Sequence, residues 1–201
     1  MLKNRRQRGF SLPEMLVAML ISAILLSGIV SLMPSFQRQS LMQQRAYRLE
    51  QALRQVLQAI EKDLRRAGYR FSSSSPRSEA AVRLSGGSFG IAGFCMLFGY
   101  DLNHSGKIDL ESASSPERFG YRWRQGTVER QRGGGSCQSG EWEKMLDPSE
   151  ITVSQFYVEP RRAQGKVKEG EDYFLLSLEG HWRGAPERPI RLTARVRSRG
   201  A

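Results

Sequence analysis

The sequence predicts an α+β protein in which one long N-terminal helix is laid against an antiparallel β-sheet domain. Three observations carry that expectation. No charged side chain occurs between Met15 and Gln37, and Met15 to Met33 is almost wholly apolar. Beyond Pro34 the apolar residues Leu49, Leu53, Val56, Leu57, Ile60 and Leu64 recur at helical intervals among Arg48, Glu50, Arg54, Glu61 and Lys62. The remainder is broken into short segments of strand-like alternation separated by Gly, Ser and Pro.

Size and composition fit one membrane-length segment followed by one globular domain: 201 residues, 39% hydrophobic and 9% aromatic. The net charge of +11 is partly a property of the extreme N-terminus, where Lys3, Arg5, Arg6 and Arg8 precede the apolar run. Without those four, 27 basic side chains face 20 acidic ones, a balance of +7. That balance still favours anionic lipid, nucleic acid or acidic protein surfaces.

The 19 residues from Met15 to Met33 would span roughly 28 Å as a helix, close to the hydrocarbon thickness of a bilayer. Basic residues on the N-terminal side should stay cytoplasmic and send the C-terminal domain outward. An ordinary secretory signal would have a shorter apolar region and a small-x-small cleavage site after it. No such site follows here, and no cysteine lies nearby to serve a lipoprotein signal. A plain single-pass anchor fits the hydropathy but leaves Glu14 unexplained, because a carboxylate at that depth is costly and points to function.

Gly9-Phe10-Ser11-Leu12-Pro13-Glu14-Met15-Leu16-Val17 resembles the processing site of type IV pilins and type II secretion pseudopilins. The resemblance implies a type IV pilin-like fold, cleavage between Gly9 and Phe10 by a prepilin peptidase, N-methylation of Phe10, and an assembly role for Glu14. It implies four regions: a leader over 1–9, a transmembrane or filament-core half-helix over 10–33, an amphipathic half over 34–68, and a periplasmic β-rich domain over 69–201. Pro13 is unusual in the motif, but the first turn of a helix tolerates proline. Major pilins commonly bend at a proline near the place of Ser31, whereas this chain has Pro34. The physical logic agrees with the family role, since a carboxylate in lipid seeks a cation and the α-amino group of a neighbour's Phe10 would supply one.

Asp63-Leu64-Arg65-Arg66-Ala67-Gly68-Tyr69 is similar to the helix end of PilW-kind minor pilins, prepilin peptidase-dependent protein B and J-type minor pseudopilins. Gly68 is a natural C′ residue after the basic last turn. The resemblance implies a minor subunit taking part in filament assembly or initiation, in a type IV pilus or alternatively a type II secretion pseudopilus. Its partners would be the peptidase, other minor pilins and the major pilin (or pseudopilins), and the inner membrane.

In the domain, Ser72 to Ser78 reads as a loop. Ala81-Leu84, Ile91-Tyr100, Phe119-Arg124, Thr127-Gln131, Ile151-Val158, Tyr173-Trp182 and Ile190-Val196 read as strands, with a turn at Gln125-Gly126. Trp142 to Leu146 reads as a short helical turn. Cys95 and Cys137 form an even pair beyond the apolar segment, and an oxidising compartment would bond them; two unrelated buried thiols are the alternative.

Asp101, Asn103, Ser105, Lys107 (through its carbonyl) and Asp109 match the first nine positions of a calcium loop, with Gly106 at the sharp turn. Alternate oxygens in that pattern converge on one hard cation, so Ca²⁺ is a candidate ligand. The glutamate that should close the loop is replaced by Ser112, with Glu111 one residue early, and Asp/Asn/Gly runs are also ordinary turn chemistry. Arg122, Arg124, Arg191, Arg195 and Arg197 form a candidate basic face, interleaved with aromatics at Arg122 and Arg124. A pilus-displayed DNA-binding module is the reading of another class. A solvated sheet face that resists edge aggregation accounts for the charges more simply. No enzyme is expected: His104 and His181 lack a nucleophile or acid partner in sequence, and Gly133-Gly134-Gly135 lacks the strand-lysine-helix setting of a phosphate loop.

Overall fold

A computed structural model describes Gly9 and residues 11–68, 82–85, 94–105, 117–133, 136–162 and 172–197. These fall into two compact units, Met1–Arg45 and Ala46–Ala201. The described part is one helix, α1 (Leu12–Arg66), followed by eight strands. They are β1 (Val82–Ser85), β2 (Cys95–Gly99), β3 (Arg118–Arg124), β4 (Thr127–Arg132), β5 (Glu143–Lys144), β6 (Ile151–Arg162), β7 (Asp172–Trp182) and β8 (Ala185–Val196).

In the first unit α1 is a bare apolar rod, long and apolar enough to cross a membrane. Every large hydrophobic side chain from Leu12 to Phe36 is more than half exposed. The helix continues through Pro34, whose ring removes one backbone donor. Hydroxyls that apolar surroundings would leave unsatisfied fold back onto the helix itself: Ser22 Oγ donates to Ala18 O at 2.7 Å, and Ser27, Ser31 and Ser35 each donate to the carbonyl three residues earlier at 2.8 Å.

In the second unit the remaining turns of α1 are amphipathic, and Leu49, Leu53, Val56, Leu57, Ile60 and Leu64 are all buried. They pack with Met96, Phe98, Tyr121, Val128, Phe156, Leu176 and Leu178 from the strands. Gly180 lets the helix approach β7 closely, because a Cβ there would lie 3.1 Å from Leu53 Cδ2. The helix ends as its sequence demands: Gly68 takes φ 75°, and its N–H donates to Gly99 O at 3.0 Å, joining the helix end to β2.

The strands form two antiparallel meanders, β1-β2-β3-β4-β5 and β6-β7-β8, where the sequence suggests one sheet. Two hydrogen bonds tie the meanders together: Val153 N–H donates to Gly126 O at 2.7 Å, and Trp123 Nε1–H donates to Val153 O at 2.9 Å. Gln125 and Gly126 both have positive φ (51° and 74°), the two-residue turn that matches strand twist. The expected helical turn at Trp142 to Leu146 is instead β5, because Glu143 and Lys144 find β4 partners in Arg130 and Glu129. β6 and β8 run further than expected, through Pro160 and from Ala185 through Pro186 and Pro189. In the described residues both are outer strands of their sheet, where a missing N–H is tolerated.

Candidate functional site

Ser11 stands immediately before α1 at its N-terminal cap. Its carbonyl accepts from Glu14 N–H at 3.1 Å and Met15 N–H at 3.2 Å. The Glu14 carboxylate reaches back to both the amide and the hydroxyl of Ser11, each at 3.5 Å. This is the glutamate half of a capping box, Ser-x-x-Glu, in which the carboxylate covers the Ser11 amide while the Ser11 hydroxyl points to the carboxylate rather than to the Glu14 amide; Pro13 sits in the first turn, where its missing N–H costs nothing. The spacing is visible in the sequence, so this local role of Glu14 is legible there and sits beside the expected assembly role. Both contacts are at the limit of hydrogen-bond length, and among the described residues no cation pairs with the carboxylate. Gly9 is exposed immediately before the helix. Phe10 lies outside the described residues.

The helix end is fixed by chemistry that periodicity does not reveal. Asp63 Oδ2 accepts a hydrogen bond from Tyr121 Oη at 2.7 Å, linking α1 to β3 across 58 residues. Tyr121 is fully buried. Burial, then the Asp63 charge, pushes its phenol far above the ordinary value of 10, so it stays a donor. Burial likewise raises Tyr100, which Arg66 overlies at 5.9 Å from the ring centroid. The Asp-x-x-Arg segment therefore fastens the helix end physically, with the aspartate anchoring the final turn to the sheet while Arg66 covers the next aromatic.

Cys95 and Cys137 are bonded to each other. Around the disulfide is a cluster centred on Arg122, the residue paired with Cys95 across β2 and β3. Arg122 Nε donates to Glu129 Oε2 at 2.6 Å, and Nη1 donates to Cys137 O at 2.8 Å. The guanidinium carbon lies 4.2 Å from the centre of the Trp142 ring. With only 9% of its surface exposed, Arg122 is not part of a solvated basic face, which corrects the expectation from sequence. The cause is register: the turn at Gln125-Gly126 places Arg122 opposite Glu129, so a buried cation meets its counter-ion. Gly140, at φ 95°, keeps its place because any Cβ would collide with the Gln131 amide, which donates to Ser139 O at 3.0 Å.

The other basic candidates separate. Arg124 is exposed at the end of β3, in the five-stranded sheet. Arg191 and Arg195 belong to β8 of the three-stranded sheet, and Arg197 follows its last residue. Arg191 is engaged by Glu179 at 2.6 Å. Arg195 lies 4.7 Å from the Tyr173 ring centroid. Arg195 and Arg197 meet Lys62, Arg65 and Arg66 of α1 around an open cleft of about 820 Å³.

Of the calcium-loop residues, Lys107, Asp109 and Glu111 lie outside the described residues. Asp101 is buried, and its Oδ1 accepts from Ser105 N–H at 3.1 Å; Asn103 Oδ1 accepts from the same amide at 2.8 Å. Glu117, also buried, accepts from Leu102 N–H at 2.7 Å and Asn103 N–H at 3.0 Å. His104 occupies the left-handed region at φ 65°, the backbone that lets the loop turn. Sequence reasoning misses Glu117 because it lies 16 residues from Asp101, beyond any loop pattern.

Comparison with known proteins accords with this geometry. Residues 42–198 match the family described as Prepilin peptidase-dependent protein B. Residues 4–30 match the prokaryotic N-terminal methylation motif. The chain is similar to Prepilin peptidase-dependent protein B of Escherichia coli (strain K12), 31% identical over 153 residues, 76% of this chain and 78% of that protein. No solved structure matches. An exposed apolar helix opening on Gly9 and Glu14, an α+β domain stapled by a disulfide, and matches covering both parts of the chain lead to one conclusion: the chain belongs to the prepilin peptidase-dependent protein B family and is a type IV pilin-like minor subunit.

Proposed function

We propose that the chain is a minor subunit of a type IV pilus, cut between Gly9 and Phe10 by a prepilin peptidase, methylated at Phe10, and built into the filament at or near initiation. Before assembly α1 anchors it in the inner membrane, with the β-rich unit in the periplasm. The observation that carries the reading is Glu14, one carboxylate at the head of an exposed apolar helix, held among the described residues only by two 3.5 Å contacts to Ser11. Those contacts are weak beside a cation: two unit charges about 4 Å apart attract by about 4 kcal/mol at an effective dielectric of 20, against about 1 kcal/mol for an ordinary hydrogen bond. Cleavage would create such a cation at Phe10 of a neighbouring subunit, and an axial stagger would bring the two together.

The test is N-terminal mass spectrometry of the chain co-expressed with a prepilin peptidase. A mature chain starting at methylated Phe10 is expected; an intact leader sinks the reading. Glu14→Gln keeps the cap acceptor and removes the charge, so it should still be processed yet fail to enter filaments. Pilus restoration in a strain lacking the chain assigns the subunit to a pilus; restored secretion without pili assigns it to a type II secretion system.

The reading extends to a Ca²⁺ held by oxygens of the loop that starts at Asp101. It is supported by the way Asp101 Oδ1 and Asn103 Oδ1 converge on the single amide of Ser105. Saturable heat on titrating Ca²⁺ into the full chain, lost in Asp101→Ala, is the expected result.

A further inference from the structure

We propose that the cleft between the last turns of α1 and the end of β8 docks an acidic peptide segment of a partner protein. Among the described residues five cations line it: Lys62, Arg65 and Arg66 from the helix, Arg195 from β8 and Arg197 just beyond it. Among the described residues Glu61 is the one carboxylate lining it, 3.5 Å from Arg65. Complementing the helix dipole explains basic residues in the final turn of α1. It does not explain why β8 brings Arg195 to the same place, where like charges repel unless an anion lies between them.

The cations are also arranged for recognition. Arg195 lies over the Tyr173 ring at 4.7 Å and Arg66 over Tyr100 at 5.9 Å, so each guanidinium is placed by an aromatic face. A guanidinium positioned in this way presents a planar fork of N–H donors that suits carboxylates. Lys62 is exposed and has no carboxylate partner among the described residues.

Charge and shape favour a peptide over nucleic acid. Proteins that hold duplex DNA by its backbone typically engage on the order of 6–10 phosphates. Among the described residues, five cations around one carboxylate fall short of that. Single strands need open aromatic faces for their bases, and here Tyr100 and Tyr173 are each covered by a guanidinium. The cleft, about 820 Å³, has the size of a site for a short segment.

The proposal rests on the subunit reading only in expecting a protein partner. Its test does not depend on filament assembly, so the two fail separately. Fluorescein-labelled octaglutamate is titrated with the full processed chain in non-ionic detergent at about 50 mM salt, and anisotropy is read. Saturable binding that weakens as salt is raised is expected. Lys62→Glu/Arg195→Glu should weaken it roughly tenfold or more. The charge-matched Arg83→Glu/Arg124→Glu, on exposed strand positions outside the cleft, should stay within about twofold. Lys62→Gln/Arg195→Gln repeats the test should the reversed pair unfold, as judged by tryptophan emission. Absence of saturable binding overturns the proposal, as does equal loss in both double variants. Displacement of the probe by short duplex DNA at lower concentration than by unlabelled octaglutamate reassigns the cleft to nucleic acid.

Discussion

Removing the disulfide with Cys95→Ala/Cys137→Ala should cost the β-rich unit about 4 kcal/mol. The magnitude follows from the chain closed by the bond. A separation of 42 residues restricts the unfolded ensemble by the loop-closure entropy, which at 25 °C amounts to about 4 kcal/mol. For a unit of this size, that corresponds to a fall in melting temperature of roughly 8–16 °C. With a urea slope of about 2 kcal/mol per molar, the midpoint moves down by about 2 M. The assay is urea unfolding of the full chain in detergent, followed by tryptophan emission. It reports the intended unit because Trp123, Trp142 and Trp182 are the protein's three tryptophans and all lie there. Wild type with reductant should behave as the double variant does without it. The structure adds a second expectation. The bond also holds Cys137 O against Arg122, so the disulfide and Arg122→Met should be coupled by more than about 0.5 kcal/mol in a double-mutant cycle. A loss below about 1 kcal/mol would refute the reasoning, since it would mean that the closed loop restricts little in the unfolded chain.

Arg122→Ala leaves the nearly buried Glu129 without its cation and should cost about 3–5 kcal/mol in the same urea assay; replacing both partners by Met and Leu should recover most of it. Tyr121→Phe strands one Asp63 oxygen and should cost about 1.5–3 kcal/mol. Because both Tyr121 and Tyr100 have raised values, their contribution is complete below pH 10 and is lost as pH rises from there towards the folded values. Ultraviolet titration should therefore show fewer than six tyrosines ionising before the unit unfolds. Gly140→Ala puts a methyl group against the Gln131 amide at positive φ and should lower the urea midpoint, whereas Gly28→Ala, with open space around it, should not.

Much of this architecture is readable in the residues, and the departures have definite causes. The helical face from Leu49 to Leu64 is legible because burial of a helix leaves a 3.6-residue period that local sequence carries. Alternation finds the strands, but it does not say which strands pair, so two meanders look like one sheet. β5 escapes because two residues hold no period; Glu143 and Lys144 are a strand only by virtue of β4 beside them. Arg122 looks like surface when its charge is weighed without its register, although counting outward from Gln125-Gly126 sets it opposite Glu129. The Ser11-to-Glu14 cap is fully legible in its spacing, and the rarer explanation of the same carboxylate hides it. The cation cleft joins residues more than 120 positions apart, a separation that no window on the sequence spans.

The serines of the apolar half-helix carry a consequence for mechanics. Each of Ser22, Ser27, Ser31 and Ser35 already spends its hydrogen on its own backbone. A neighbouring helix laid alongside therefore meets a surface with almost no directional bonds to offer, only contour. Contact of that kind resists separation but hardly resists sliding, since one apolar stretch serves about as well as the next. In the proposed filament, axial position would then be read at a single point, the carboxylate of Glu14, like a pin dropping into one hole on a greased rod. Such a rod would be drawn past its neighbours cheaply until the pin engaged.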